Sequence, residues 1–339
     1  MPEAAERHVP DDIRKVAADL GGTVGVAARN LVTGDTVLLN ADEPFPMASV
    51  FKIPVMVEVM RQVDGNTIAL DERIILQEDD KSPGSTLIHC HAGLQPTVRD
   101  LLYLMITLSD NTATDMLWRR VGIERVNETM RDLGLQSIDC FMPGREFFLL
   151  ELGMGSDWSG LSGPQIIARW RELDTDPQTR RRVYDRLLDE HRHLTGAEFG
   201  RLYDERWGLD GNNDYADSFA VDQALDNPGS PRDMMELLAM IAESRCASPP
   251  SCRLMIEILL RQEWREKIPA GLPPGTRVGN KTGGVAGTSN DAALFYLPDG
   301  APVSLVVYCK GLDAEQTERA PAAIAAIARA VWTRFGGGA

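Results

Sequence analysis

Regular patterning begins with a short helical stretch, "DDIRKVAADL", and then changes period. Two strand-like runs, "GTVGVAARNL" and "DTVLLN", flank Thr33-Gly34, which reads as a hairpin turn. From Ser49 onward the pattern is helical for a long way. "TVRDLLYLMITLSDNTATDMLWRRVG" carries apolar residues at helical spacing with Thr97 as its N-cap, and "IERVNETMRDLGL" forms another helix that closes at Gly134. Between about 153 and 227 the chain alternates charge-rich helical pieces ("RRRVYDRLLDEHRHL") with a loop-like "GLDGNNDYADS". A clear helix restarts in "SPRDMMELLAMIAES", with Ser230 as cap and Pro231 in the first turn. Strand character returns in "TRVGNKTG", "NDAALFYL" and "PVSLVVYCKG", joined by Gly and Pro-Asp-Gly turns, and an alanine-rich helix, "APAAIAAIARAVWTRF", ends the chain. No internal repeat or low-complexity linker interrupts this order.

Strands therefore lie at both ends and helices fill the middle. The packing that follows is an α+β fold: one antiparallel sheet built from both termini, covered by the terminal helices, with an all-helical lobe inserted. The expected α/β lobe is discontinuous, 12–48 and 265–336. The helical lobe is 49–264 and includes an extra segment at about 153–227. A cleft is expected where Ser49 leaves the sheet and Lys281 returns to it.

Composition narrows the class. The 339 residues suffice for a large core, and a 43% hydrophobic, 25% charged chain is ordinary for a soluble globular protein. A net charge of -15 argues against a nucleic-acid partner, which would need a basic stripe. No run is long and apolar enough to span a membrane. The opening "MPEAAERHVPDDIRK" is polar and acidic where an export signal needs a basic start and an apolar segment, so the expected location is cytoplasmic. Cys90, Cys140, Cys246, Cys252 and Cys309 are read as reduced thiols; Cys246 and Cys252 could close a short loop only in an oxidising compartment.

Candidate chemistry centres on "MASVFKIPVMVEVM", which sets Ser49 and Lys52 three residues apart at the mouth of an apolar run. Serine is a poor nucleophile until a base takes its proton, and at i and i+3 on a helix the lysine can reach the hydroxyl. Apolar surroundings and a nearby cation lower a lysine's pKa and make it a usable base. An isolated S-x-x-K is most often a surface lysine beside a capping serine. Here it is followed by Ser109, Asp110 and Asn111 in "LSDNTATD", a polar break in an apolar helical region, and by Lys281, Thr282, Gly283 and Gly284 in "NKTGG" on a late strand. Together, in order, these match the S-x-x-K, S-D-N and K-T-G triple of the penicillin-recognising serine enzymes.

On these motifs, and on "NADEPFPMASVFKIPV", "LMITLSDNTATD" and "VGNKTGGVAGTSNDAAL", the sequence resembles the class A β-lactamase-like serine hydrolases, which are related to D,D-peptidases. The resemblance spans roughly Ile13 to Asn127 and Pro231 to the C-terminus. It implies a β-lactamase/D,D-peptidase-like fold and an acyl-enzyme mechanism on a β-lactam antibiotic, amide or ester. By the same carry-over Ser49 is the acylated nucleophile, Lys52 its proton acceptor, and Ser109 the relay to the leaving group. Asn111 would bond the acyl-side amide, and Lys281 with Thr282 a substrate carboxylate, Gly283 lying in the same substrate-binding strand. The backbone N–H groups of Ser49 and Gly284 would form the oxyanion hole, glycine allowing close approach to the reacting carbonyl. Asp110 is read as structural. The expected partner is a small, carboxylate-bearing acyl donor; no cofactor or metal is expected, and the oligomeric state is open.

The resemblance departs in one stretch. Class A enzymes carry a glutamate that activates the deacylating water, with an asparagine four residues later. In "PGREFFLLELGMGSDW" Glu146 has the nearest spacing, yet position 150 is Leu; Glu151 and Asp157 are rivals, and Glu146 is equally readable as a surface or ion-paired carboxylate. With the added segment and the absent export signal, this leaves two further readings. One is an intracellular esterase or acyltransferase of a biosynthetic pathway; the other is a sensor that acylates without turning over. A phosphate loop in "GTRVGNKTG" is excluded because Asn280 separates Gly279 from Lys281 and no helix start follows. His89-Cys90-His91 alternate as on a strand with no second cluster to complete a metal site, and His191 and His193 read as solvated.

Overall fold

The computed structural model of the chain describes residues 9–173, 176–207 and 215–336. From the N-terminus come α1 (Asp11–Leu20), β1 (Thr23–Asn30), β2 (Thr36–Leu39), β3 (Phe45–Pro46) and, after a 3-10 turn over Ala48–Phe51, α2 (Lys52–Asp64). The middle is helical: α3 (Val98–Thr107), α4 (Asn111–Val121), α5 (Ile123–Asp132), α6 (Gly144–Glu151), α7 (Gly163–Leu173), α8 (Pro177–Glu190), α9 (Gly196–Trp207) and α10 (Tyr215–Leu225). There follow β4 (Pro228–Gly229), α11 (Pro231–Ala242), α12 (Pro249–Leu259) and α13 (Ile268–Gly271). Strands β5 (Val278–Val285), β6 (Thr288–Tyr296) and β7 (Pro302–Lys310) lead into α14 (Ala314–Arg334).

The chain forms two units: one holds the residues up to Thr67, Glu124–Cys140 and those from Asn227 on, the other Ile68–Ile123 and Phe141–Asp226. In the first, an antiparallel sheet runs in the order β2-β1-β7-β6-β5. Strand residues alternate between its faces. Val26, Leu305 and Phe295 join a buried cluster with Ile13 of α1 and Ile324, Ile327 and Val331 of α14. On the other face Gly25 lies against Phe45 and Pro231, where α11 packs on β1 and β7. Strand β5 is the sheet's edge, with β6 on one side only.

Caps set the helix starts. Thr97 accepts from Asp100 N while the Asp100 carboxylate accepts from Thr97 N, a reciprocal box that opens α3. Ser230 accepts from Asp233 N ahead of Pro231. Helix α14 begins earlier than the alanine-rich run suggests, because Asp313 and Gln316 form a second reciprocal box. It continues through Pro321, whose missing N–H costs one internal bond.

The second unit is helical, with α4 packed on α3 and α6, and α10 on α7 and α6. Of the loop-like "GLDGNNDYADS", residues 208–214 lie outside the described set, and the remainder belongs to α10, so its end is helix rather than loop. His89 ends a 3-10 turn over Leu87–His89 and is not on a strand. The cysteines are free, with the buried Cys246 and Cys252 sulfurs 3.8 Å apart. Among the described residues no helix is long and apolar enough to cross a membrane, and no cluster of three His, Cys, Asp or Glu side chains is placed to hold a metal ion.

Candidate active site

Ser49 sits half-buried in the 3-10 turn that carries the chain from β3 into α2. The turn is strained just before it: Ala48 has a φ of 46°, a left-handed conformation that costs a Cβ-bearing residue about 1 kcal/mol or more. In the tight 3-10 geometry residues three apart lie over one another, so Ser49 and Lys52 stand on one side. Lys52 is fully buried, as is the rest of the first two turns of α2.

The edge strand β5 runs against this turn. Gly283 permits the approach: a Cβ there would stand 2.7 Å from the Met47 carbonyl oxygen and 3.1 Å from Ser49 N. The first contact is closer than real Cβ atoms come, so a side chain at 283 would push β5 off the serine turn. Two residues earlier, Lys281 is fully buried and donates from Nζ to the Thr282 carbonyl at 2.7 Å. Burial drives its pKa well below that of an ordinary lysine; the Lys52 cation, and to a lesser degree Lys267, push the same way, while Asp291 opposes them. Thr282 and Gly283 are buried and Gly284 is exposed.

Behind β5 lies a polar network that the motifs did not announce. Asp291, paired in register with Thr282, accepts from Asn280 Nδ2 at 3.0 Å and from Ile268 N at 2.9 Å. Burial pushes its carboxyl up to about 6 against the pull of those bonds and of Lys267 and Lys281. The Lys267 ammonium, itself held down by burial, donates to the Gly283 carbonyl at 3.0 Å and to the Asn290 carbonyl at 3.1 Å. Asn290 in turn ties the Pro46 carbonyl to Cys309 N. In sequence, Lys267 is one of several charged residues in "EWREKIPAG", with nothing to separate it from its exposed neighbours. Its partners are backbone carbonyls from β5 and β6, which only the fold assembles.

The second unit holds Ser109, Asn111 and Glu146. Ser109 occupies the break between α3 and α4 at a φ of 62°, again left-handed and again strained for a residue with a Cβ. Asp110 caps α4 by accepting from Ala113 N and accepts from Leu87 N, bonding loop backbone as the sequence suggests. Asn111 donates from Nδ2 to the Pro83 carbonyl at 2.8 Å. Gly84 lies beside it with a φ of 69°, and a Cβ there would come within 2.8 Å of Nδ2.

Glu146 is not a surface carboxylate. It is buried in the first turn of α6, 3.5 Å from the Arg119 guanidinium, which also pairs with Asp80 at 3.1 Å. Burial raises its pKa, Arg119 pulls it back, and Asp115 adds to the rise. Asp115 anchors the same turn by accepting from Gly144 N and Arg145 N, both at 2.8 Å. Arg145, fully buried, donates to the carbonyls of Lys81, His191 and Leu194 and stacks on the Phe199 ring. Leu150 is buried on the same helix, so no amide stands four residues after the glutamate. Of the rivals, Asp157 pairs with Arg186 at 2.5 Å and Arg169 at 3.3 Å, and Glu151 ends α6 buried.

Comparisons with known proteins identify the family. A family model described as the β-lactamase enzyme family matches residues 8–335. A β-lactamase of Streptomyces albus G is 28% identical over 295 residues, 85% of this chain and 72% of that protein. The carbapenem-hydrolysing β-lactamase KPC of Klebsiella oxytoca is 24% identical over 324 residues, 95% of this chain and 87% of that one. Among solved structures, a β-lactamase from Sphaerobacter thermophilus superposes with a TM-score of 0.68 at 27% identity, covering 96% of this chain and 97% of its own. A point mutant of PBP-A, solved as an acyl-enzyme complex with penicillin G, superposes at 0.69 over 99% of both chains; at 21% identity it shows the fold alone.

Proposed function

Since the chain belongs to the β-lactamase enzyme family, a family of serine hydrolases, we propose that it opens β-lactams through an ester on Ser49. The observation that carries this reading is local to the first unit. A half-buried serine on a strained turn stands three residues before the buried Lys52, and the strand that carries the buried Lys281 is drawn against its backbone N–H at Gly283. Burying two lysines whose charges oppose one another costs folding free energy and packs nothing that an apolar pair would not pack better. Such a cost is characteristic of a site that needs a proton acceptor.

In this reading Ser49 Oγ attacks the lactam carbonyl carbon as Lys52 Nζ takes its proton. The N–H groups of Ser49 and Gly284 hold the resulting oxyanion. The C–N bond then breaks, and the proton passes to the leaving nitrogen by way of Ser109. Water attacks the ester, Lys52 again accepting a proton, and Ser49 Oγ leaves with it. Asn111 bonds the acyl-side amide, and Lys281 and Thr282 hold a carboxylate, whose arrival favours the charged form of Lys281. The roles of Ser109 and Asn111 rest on the sequence motif. Deacylation is assigned to Lys52 rather than to Glu146, because the Arg119 guanidinium engages that buried carboxylate.

Intact-mass spectrometry after exposure to penicillin G should show an adduct that peptide mapping places on Ser49, and a chromogenic β-lactam should be hydrolysed in steady state. An adduct that persists in Ser49→Ala overturns the assignment. A stoichiometric adduct without turnover would identify a sensor. Faster release on adding amines or alcohols would identify an acyltransferase.

A further inference from the structure

We propose that Lys267 is a positioning residue for the oxyanion hole, acting through the peptide unit between Gly283 and Gly284. The inference deepens the function proposed above and rests on it. The Lys267 ammonium bonds the Gly283 carbonyl at 3.0 Å and the Asn290 carbonyl at 3.1 Å. Gly283 and Asn290 are register partners on β5 and β6. A single ammonium reaches both oxygens, so both carbonyls point into the space shared by the two strands. A trans peptide sets its C=O and N–H antiparallel. With the Gly283 oxygen turned toward β6, the Gly284 N–H is turned to the free edge of β5, one residue on from the point where the Ser49 backbone lies against the strand.

The ammonium does two things to that peptide. It fixes the plane, which matters in a strand with two adjacent glycines and no side chains to hold it. It also polarises the amide, because a charge-assisted bond on the oxygen withdraws electron density from the nitrogen and strengthens its N–H as a donor. A neutral partner on the same carbonyl would fix the plane with far less polarisation. Burying an ammonium whose charged form burial disfavours is costly. The network keeps it there: Asp291, which Ile268 N and Asn280 hold in place, attracts it, while Lys281 opposes it. Lys267 is separated from the reacting atoms by one peptide bond and contacts none of the residues assigned to proton transfer.

The test uses the full chain and penicillin G. In Lys267→Met, the acylation rate should fall about tenfold, less than the hundredfold or more lost with a whole oxyanion donor. The dissociation constant of the preceding non-covalent complex should change by no more than about twofold. Infrared difference spectra of the acyl-enzyme should show the ester carbonyl band moved to higher frequency, as expected of a more weakly held oxygen. Lys267→Arg, which keeps the cation, should restore most of both. Lys267→Gln keeps a neutral donor and should give an intermediate band if the methionine variant does not fold. A clip that merely joined β5 to β6 would lower the melting temperature and leave the band where it is in the wild type, and that result overturns the inference alone. Failure of the wild-type protein to form any ester on Ser49 overturns the function reading and this inference together.

Discussion

Two regions of this molecule bury charge, and they do it in opposite ways. In the first unit Lys52, Lys281 and Lys267 share one neighbourhood with the buried carboxylate of Asp291; burial and like charge drive Lys281 well below its ordinary pKa. In the second, Arg119 has Glu146, Asp115 and Asp80 around it; burial works against its charge, yet the carboxylates raise its pKa. In the second the guanidinium is paired directly with carboxylates, Glu146 and Asp80, and the Glu146 pair ties α4 to α6. The first leaves an excess of cation that a fold needing only stability would replace with apolar side chains. Buried charge by itself therefore says little about function; the sign balance around it says more. The lysine cluster reads as chemistry and the Arg119 cluster as architecture.

The largest effect that can break this comparison lies at Lys52. A lysine gives up its proton when burial and neighbouring cations disfavour the charged form; a guanidinium does not near neutral pH. Lys52→Arg keeps charge and approximate bulk, so an architectural role would survive it. A base would not: acylation by penicillin G should fall by about two to four orders of magnitude. Rapid-quench mass spectrometry measures this directly, with circular dichroism to show that the fold is kept. Near-normal acylation would move Lys52 into the same class as Arg119.

The next effect is smaller and falls on stability. The Asp291 carboxyl is pushed up to about 6 in the folded protein from an ordinary 3.8. Because the folded state binds the proton more tightly, its contribution is fully present below about pH 4 and is lost as pH rises through about 6. The difference amounts to roughly 3 kcal/mol, at about 1.4 kcal/mol for each tenfold change in proton affinity. Denaturant unfolding between pH 4 and 6.5 should show wild-type stability falling relative to Asp291→Asn by an amount of that order. Parallel curves for the two proteins would mean that Lys267 and Lys281 already hold Asp291 ionised throughout.

How much of this was open to a reader of the sequence follows from what each feature depends on. The antiparallel sheet built from both termini, the Thr97 and Ser230 caps and the break at Ser109 were legible, because alternation, caps and polar interruptions are local signals. The three motifs were legible as an ordered set. The early start of α14 was missed because its cap lies across an acidic stretch that carries no apolar period. The network of Lys267, Asn280, Asn290 and Asp291 was missed for a deeper reason. Its bonds join residues from 11 to 244 positions apart and end largely on backbone atoms, which carry no sequence identity. The burial of Glu146 was equally hidden, since the Arg119 that meets it comes from another helix 27 residues away.

The smallest expected effect tests the other side of the comparison. If the Arg119 cluster is architectural, neutralising Glu146 should cost little. Gln has the same shape, Arg119 keeps Asp80, and the desolvation that raises the Glu146 pKa no longer applies to a neutral amide. A general base must also lie within hydrogen-bond reach of its water, with a second group to hold that water. Here the carboxylate is turned to a guanidinium, and the residue four positions on is a buried leucine. Glu146→Gln should accordingly keep steady-state hydrolysis within about tenfold of wild type, well short of the loss expected at Lys52. Pre-steady-state mass spectrometry separates the alternatives. A variant that acylates at the normal rate and then accumulates a stable ester on Ser49 would make Glu146 the deacylation base, its pairing with Arg119 part of how that base is tuned. A variant that turns over leaves Lys52 as the group that serves both half-reactions.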